Sequence, residues 1–167
     1  MSPSHLLTRL FRLEEINGAE RCPTYLYRWT LWQPRRPRWV WRGFGIYLHK
    51  FVGDDWSRDL HDHPKRFISI GLKGQYVETT PARPSADVAS VFTGFEHRVY
   101  SAPWIRTFPA DHIHRLSLLD KRPCWTLVIV LRSVREWGFW HDGLWIHWRE
   151  YVKGSASAIA DKMKACP

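Results

Sequence analysis

The sequence lacks any apolar run longer than residues 125–131, and seven residues fall far short of the roughly 20 that a membrane-spanning helix needs. Cysteine is scarce. Cys22, Cys124 and Cys166 are widely separated, with no CxxC pair to hold zinc and no even set to build a disulfide framework. They read as free thiols in a reducing compartment. Arg9, Arg12, Glu14 and Glu15 interrupt the opening, so the unbroken apolar core of a secretory leader is missing. A soluble, cytoplasmic protein with no membrane partner is expected. No internal repeat is visible either. Residues 79–89, with Pro81, Pro84 and Ser85, read as a surface loop rather than a linker, because neither flank could build a core alone. The 167 residues are therefore expected to form a single domain, 1–167.

Acidic residues are outnumbered, 16 against 25 Lys plus Arg, so the formal charge is +9 with nine neutral His. That balance favours anionic partners. The hydrophobic share, 44%, is enough for a core and excludes disordered and collagen-like classes. Aromatics are plentiful, at 15% with 11 Trp, and together with 11 Pro and 10 Gly they favour a β-rich, turn-rich fold.

Ser2 can cap a helix that starts at Pro3 and carries Leu6, Leu10 and Leu13, with Asn17-Gly18 as its stop, which predicts an N-terminal helix over residues 1–18. From Thr24 the apolar period changes to two. Strands are expected at 24–32, 43–52, 65–77, 98–101, 104–119, 125–132 and 145–151, with Asp142-Gly143 as a hairpin turn. This pattern predicts an all-β sandwich or barrel over 24–151, followed by a polar tail, 153–167, in which a C-terminal helix is allowed.

The densest chemistry is Asp59-Leu60-His61-Asp62-His63-Pro64. Side chains alternate in extended backbone, so His61 and His63 share a face, and Pro64 holds His63 extended. His112 and His114 repeat the spacing on another expected strand. Two such pairs facing one interior would bring three neutral imidazoles to a metal and leave positions open for water, oxygen or substrate. Arg106 shares parity with His112 and His114. It is either a bidentate clamp for a substrate carboxylate or phosphate, or the partner of a structural acid such as Glu78 or Glu96. His112 is a candidate to orient a ligand, shuttle a proton or serve as the third ligand itself. Tyr76 and Asp111 are candidate acid/base groups, against plainer readings as a cross-strand Tyr and a turn Asp. Asp59 and Asp62 are expected outside the site or in its loop, within reach of a ligand imidazole. His141 and His147 show no partner at ligand spacing.

Residues 53–74 resemble the first cupin motif: His61 and His63 match its HxH, Gly74 matches its closing glycine, and Phe67 stands where its metal-binding Glu would fall. Pro109, Asp111 and His114 are similar to the second motif, with Asp for its Gly, Pro103 at its leading Gly and Leu118 at its terminal Asn. The segments LHDHPKRFISIGLKGQYVE and REWGFWHDGLWIHWREY are also similar to those of cupin-like proteins of bacteria and their phages. The resemblance implies a cupin double-stranded β-helix, a jelly-roll barrel, with a metal in its mouth held by His61, His63 and His114. The missing Glu implies a three-histidine site similar to that of thiol dioxygenases, which bind iron(II). Phe67 becomes an apolar wall, which weakens the case for manganese relative to iron, zinc or nickel.

The function expected is a metal-dependent, dioxygenase-like oxidation of a small anionic substrate. A redox-neutral isomerase or hydrolase using the same ligands is an alternative, as is a non-catalytic binding module. Trp29, Trp32, Trp39 and Trp41 alternate with Arg28, Arg35, Arg36, Arg38 and Arg42, a pattern that can bind single-stranded nucleic acid. The favoured reading is an edge hairpin whose arginines cover tryptophan faces. Trp137, Trp140, Trp145 and Trp148 with Phe139 are expected to form core or barrel lid, so that most of the Trp excess lines a cavity. Barrels of this kind often pair through sheet edges, which makes a homodimer one expectation.

Overall fold

The computed structural model describes residues 11–17, 23–34, 43–55, 57, 59–82 and 94–153. The strands are β1 (Arg12–Asn17), β2 (Thr24–Trp32), β3 (Gly45–Phe51), β4 (Leu60–His61), β5 (Lys65–Lys73) and β6 (Gln75–Pro81). They continue as β7 (Phe95–Ser101), β8 (Trp104–Phe108), β9 (Arg115–Leu118), β10 (Cys124–Ser133), β11 (Gly138–His141) and β12 (Leu144–His147), ahead of one helix, α1 (Trp148–Lys153). A six-stranded sheet runs β1-β2-β3-β10-β5-β8, and two three-stranded sheets, β7-β6-β9 and β12-β11-β4, complete the barrel wall. Pairing is antiparallel between all these neighbours.

Period-two patterning decides what each strand shows the interior. In β10, Cys124, Thr126 and Val128 are buried, and the alternate residues face away. On that outer face Trp125 stacks on Trp29 with centroids 5.6 Å apart, and the Lys50 ammonium lies 5.4 Å over the Trp125 ring. Trp29 and Trp125 therefore cover the outside, while Trp137 and Trp148 pack against the buried Phe139 and Tyr151. Of the described tryptophans, Trp137 is the one that lines the cavity.

Four sequence expectations are corrected. Residues 1–10 and 18 lie outside the described part, but Arg12–Asn17 of the expected N-terminal helix is not helical: it is the edge strand β1. Leu13 pairs in register with Trp29, and Glu14 accepts two hydrogen bonds from Arg28 at 2.8 and 2.6 Å. Cross-strand pairing here overrides a leucine spacing that also suits a helix. The expected strand 65–77 turns at Gly74 and continues as β6. The expected strand 104–119 breaks after Phe108, because Pro109 has no N–H for the ladder and instead accepts the His112 N–H in a turn at 3.2 Å. The last strand stops at His147, and α1 follows so that Tyr151 stacks on Phe139 at 4.0 Å. Cys22, Cys166, Trp39, Trp41, Arg35, Arg36, Arg38, Arg42, the loop 83–93 and the tail from 154 lie outside the described residues. No helix among the described residues is long and apolar enough to cross a membrane.

The hairpin signal at Asp142-Gly143 is confirmed, with φ of 47° and 81° at the two turn residues. Gly74 has φ of 85°, and a Cβ there would sit 2.5 Å from the Pro123 carbonyl oxygen. Both facts demand glycine. Gly74→Ala is expected to lower the unfolding free energy by about 2 kcal/mol, from left-handed strain plus the clash, read by denaturant titration.

Candidate metal centre

Backbone pairing brings the two histidine segments together. His61 and His114 form an antiparallel bridge, His61 N–H to His114 C=O at 2.9 Å and His114 N–H to His61 C=O at 3.0 Å. The His63 N–H is tied to the Ala110 carbonyl at 3.0 Å. The three rings then converge, with centroids 5.0 Å (His61 to His63), 5.1 Å (His61 to His114) and 4.9 Å (His63 to His114) apart. One ring nitrogen from each lies within 4.8 Å of the others.

Glu78, on β6 and 2% exposed, sets the chemistry of this cluster. Its Oε1 accepts hydrogen bonds from His114 Nδ1 at 2.7 Å and His112 Nε2 at 3.0 Å, while Oε2 accepts from Arg106 Nη2 at 2.6 Å. Burial alone would raise the Glu78 carboxyl, but these hydrogen bonds outweigh it and hold it below the usual carboxylate range. An ionised carboxylate only accepts, so His114 carries its proton on Nδ1 and presents the Nε2 lone pair to the cluster. That Nε2 is 2.9 Å from His63 Nε2. Two nitrogens bound to one ion at 2.0–2.1 Å lie roughly 3 Å apart for ordinary ligand angles, so the spacing fits shared coordination. Burial, and then mutual repulsion, keeps His61 and His63 well below the usual imidazole pKa, and burial also lowers His114. Neutral rings with aimed lone pairs are what a divalent metal requires.

Beside the cluster opens a cavity of about 500 Å³ between the large sheet and the two small ones. Its apolar lining includes Leu26, Phe51, Phe67, Phe108 and Val128, and its polar lining includes Arg28, His49, Asp55 and Thr126. Phe67 packs edge-on to His63 with centroids 4.8 Å apart and stacks on Phe108 at 4.5 Å. An aromatic wall thus stands at the carboxylate position of the cupin motif. Asp55 has Oδ2 3.9 Å from His61 Nδ1, and burial pushes its carboxyl up to about 7 despite a hydrogen bond from the Leu116 N–H.

Solved structures share this architecture. The polyketide cyclase RemF from Streptomyces resistomycificus is 14% identical over 86% of this chain and 87% of its own, with a TM-score of 0.51. The DMSP lyase DddQ from Ruegeria pomeroyi is 15% identical over 75% of this chain, with a TM-score of 0.50. The chain has the cupin fold. A cupin superfamily protein from Desulfitobacterium hafniense, 16% identical, is covered over 99% of its length by 72% of this chain, with a TM-score of 0.44. This chain spans about half the length of the DMSP lyases it matches, 47% of one and 58% of another. No family model matches the sequence, and no curated protein matches it.

Within this cupin barrel, His61, His63 and His114 come together as the motif implies. His112 is in contact with His114 but is held by Glu78. Together with Glu78 and His114 it forms a second group of potential ligands. Arg106 donates to the Tyr76 hydroxyl at 2.8 Å as well as to Glu78, and its guanidinium lies 3.6 Å over the Tyr100 ring. It takes the structural-acid arrangement of the two read from parity, and neither Arg106 nor His112 is among the described residues lining the cavity. Tyr76 does line it; burial raises its hydroxyl pKa, so it stays protonated. Asp62 lies in the connection from β4 to β5, as expected, but buried, where it accepts from the Gly138 N–H and Trp145 Nε1 and pairs with Arg135. Asp59 accepts from His141 Nδ1 and the Tyr151 hydroxyl, both at 2.8 Å, which gives His141 the partner its sequence spacing did not show.

The sequence reading missed Asp55 and the polar row of Arg28, His49 and Thr126. Parity within 43–52 groups His49 with Tyr47 and Phe51, a signal that could have placed its ring inside. In the metal-free protein the lowered imidazoles of His49 (to about 3), His61, His63 and His114 make stability fall with pH. Below about 6.5 the unfolded chain takes up these protons and the folded chain does not. Asp55 acts oppositely, since down to its unfolded value of 3.8 the folded chain holds the extra proton. Four sites against one give a net loss of stability from pH 6.5 to 5. A His63→Gln variant should show a shallower slope in denaturant titrations across that range.

Proposed function

We propose that this cupin is a metal-dependent oxygenase that binds iron(II) through His61, His63 and His114 and oxidises a small anionic substrate held in the barrel cavity. The observation that carries the reading is the convergence of three neutral imidazoles, one with its tautomer set by Glu78, on the wall of a cavity lined by Phe67 and Phe108. Imidazole donors suit iron, zinc, nickel and copper better than manganese or magnesium, and the phenyl ring of Phe67 supplies no oxygen ligand. Bound there, iron(II) would supply open positions for dioxygen and substrate together. A dioxygenase places both oxygen atoms in its product, so no external reductant is needed.

The chain's own residues do the rest. The Glu78 carboxylate raises the basicity of His114 and fixes its ring, a carboxylate–histidine pairing typical of metal sites. Phe67 and Phe108 exclude water from one side of the triad, and the His61–His114 bridge holds the two ligand segments in register. Arg106 neutralises Glu78, which keeps a net anion from being buried beside the metal.

Purified protein should carry close to one equivalent of iron, and a His61→Ala, His114→Ala double variant should carry none. Glu78→Gln should weaken metal affinity by about 10–100-fold with the fold retained. Stoichiometric zinc or nickel without oxygen consumption would favour the redox-neutral alternative. A folded protein that binds no divalent metal, with the double variant indistinguishable from the parent, would contradict the proposal and favour a binding module.

A further inference from the structure

The cavity wall has a second polar patch, away from the triad. Arg28 pairs in register with His49, and His49 with Thr126, so three adjacent strands present these side chains as one row. All three line the cavity. Thr126 is 1% exposed, yet its Oγ1 has no hydrogen-bond partner among the described residues, and neither has the buried Nε2 of His49. Buried hydroxyl and imidazole groups are ordinarily satisfied, and two orphans side by side on a cavity wall mark a place where a ligand completes the bonding. Arg28 gives the row its sign. Glu14 engages its Nε and Nη2, but a guanidinium has five N–H donors. His49, held neutral by burial and by the Arg28 charge, adds a donor without adding charge.

Geometry sets the reach. Val130, four residues beyond Thr126 on β10, pairs with Phe67, which touches His63. At about 3.3 Å per residue the polar row therefore lies about 13 Å along the strand from the triad's wall. Val128 and Val130, the inward residues of β10 from that row to that wall, line the cavity and offer no polar side chain.

We propose that Arg28, His49 and Thr126 seat the carboxylate of an extended carboxylic acid, whose apolar body lies along Val128 and Val130 and whose reacting end reaches the triad. Arg28 and the Thr126 hydroxyl donate to the carboxylate oxygens, with His49 donating through Nε2. This deepens the oxygenase reading and rests on it for the reacting end, but the seat itself needs no metal. It also moves the anion clamp from Arg106, which does not line the cavity, to Arg28, which does.

The test is calorimetric titration of sodium hexanoate into chelator-treated full-length protein. Hexanoate should bind, and hexan-1-ol, with the same body and no charge, should bind roughly tenfold or more weakly. Thr126→Val, which keeps side-chain shape, should weaken hexanoate binding by about tenfold, as should Arg28→Lys, which retains a charge for Glu14 but loses the fork. Circular dichroism of each variant separates loss of fold from loss of binding. No heat with hexanoate, equal affinity in parent and Thr126→Val, or binding that appears only after zinc is added would each overturn the seat. Loss of metal binding with hexanoate binding intact would instead sink the oxygenase reading alone.

Discussion

The buried Glu78 carboxylate is the constraint on which the site depends. It is the shared acceptor for His114, His112 and Arg106, three side chains that come from β8 and from the turn that follows it. Without those donors a carboxylate at 2% exposure would be costly. With them it stays ionised, sets the His114 tautomer, and absorbs the cation that parity alone would have aimed at a substrate. One acid thus explains why Nε2 of His114 meets Nε2 of His63, and why Arg106 is not available as a clamp.

Glu78 can act this way only because the barrel closes. It sits on β6 in the small β7-β6-β9 sheet, whereas Arg106 sits on β8 at the edge of the large sheet. The His61–His114 bridge closes the mouth from another direction, and β11 pairs with β4 to bring Phe139 against the same segment. Placement of the three histidines is therefore a property of strand pairing together with two connections, residues 62–64 carrying His63 and the turn from Pro109 to His114. The cavity that results has the triad on one part of its wall and the Arg28–His49–Thr126 row on another, with Val128 and Val130 of β10 leading from the row toward the triad. Such an arrangement selects ligands by length as well as by charge.

The pairing of His61 with His63 was legible because an HxH in extended backbone puts both rings on one face whatever the rest of the chain does, and Phe67 follows by the same parity. The Asp142-Gly143 turn was legible from its residues alone. Long-range consequences of register were not. Nothing local shows that Arg28, His49 and Thr126 lie in one row, because each strand reads correctly by itself and only pairing across β2, β3 and β10 aligns them. Asp55 was hidden for a similar reason: its partners, His61 and the Leu116 N–H, come from β4 and β9. Residues 12–17 misled because a leucine placed for a helix, Leu13, also suits an edge strand once β2 is there to pair with. Glu78 was visible as a partner for Arg106, but its grip on both His112 and His114 depends on β6 turning back at Gly74.

The central claim is that Glu78 orients His114 while His61, His63 and His114 alone bind the ion. Anomalous diffraction from crystals of the iron- or zinc-loaded protein tests it most directly. The account predicts one peak within about 2.0–2.2 Å of a ring nitrogen from each of these three histidines, with Glu78 still hydrogen-bonded to His114 Nδ1. A peak coordinated by the Glu78 carboxylate and His112, or none near His61 and His63, would contradict it.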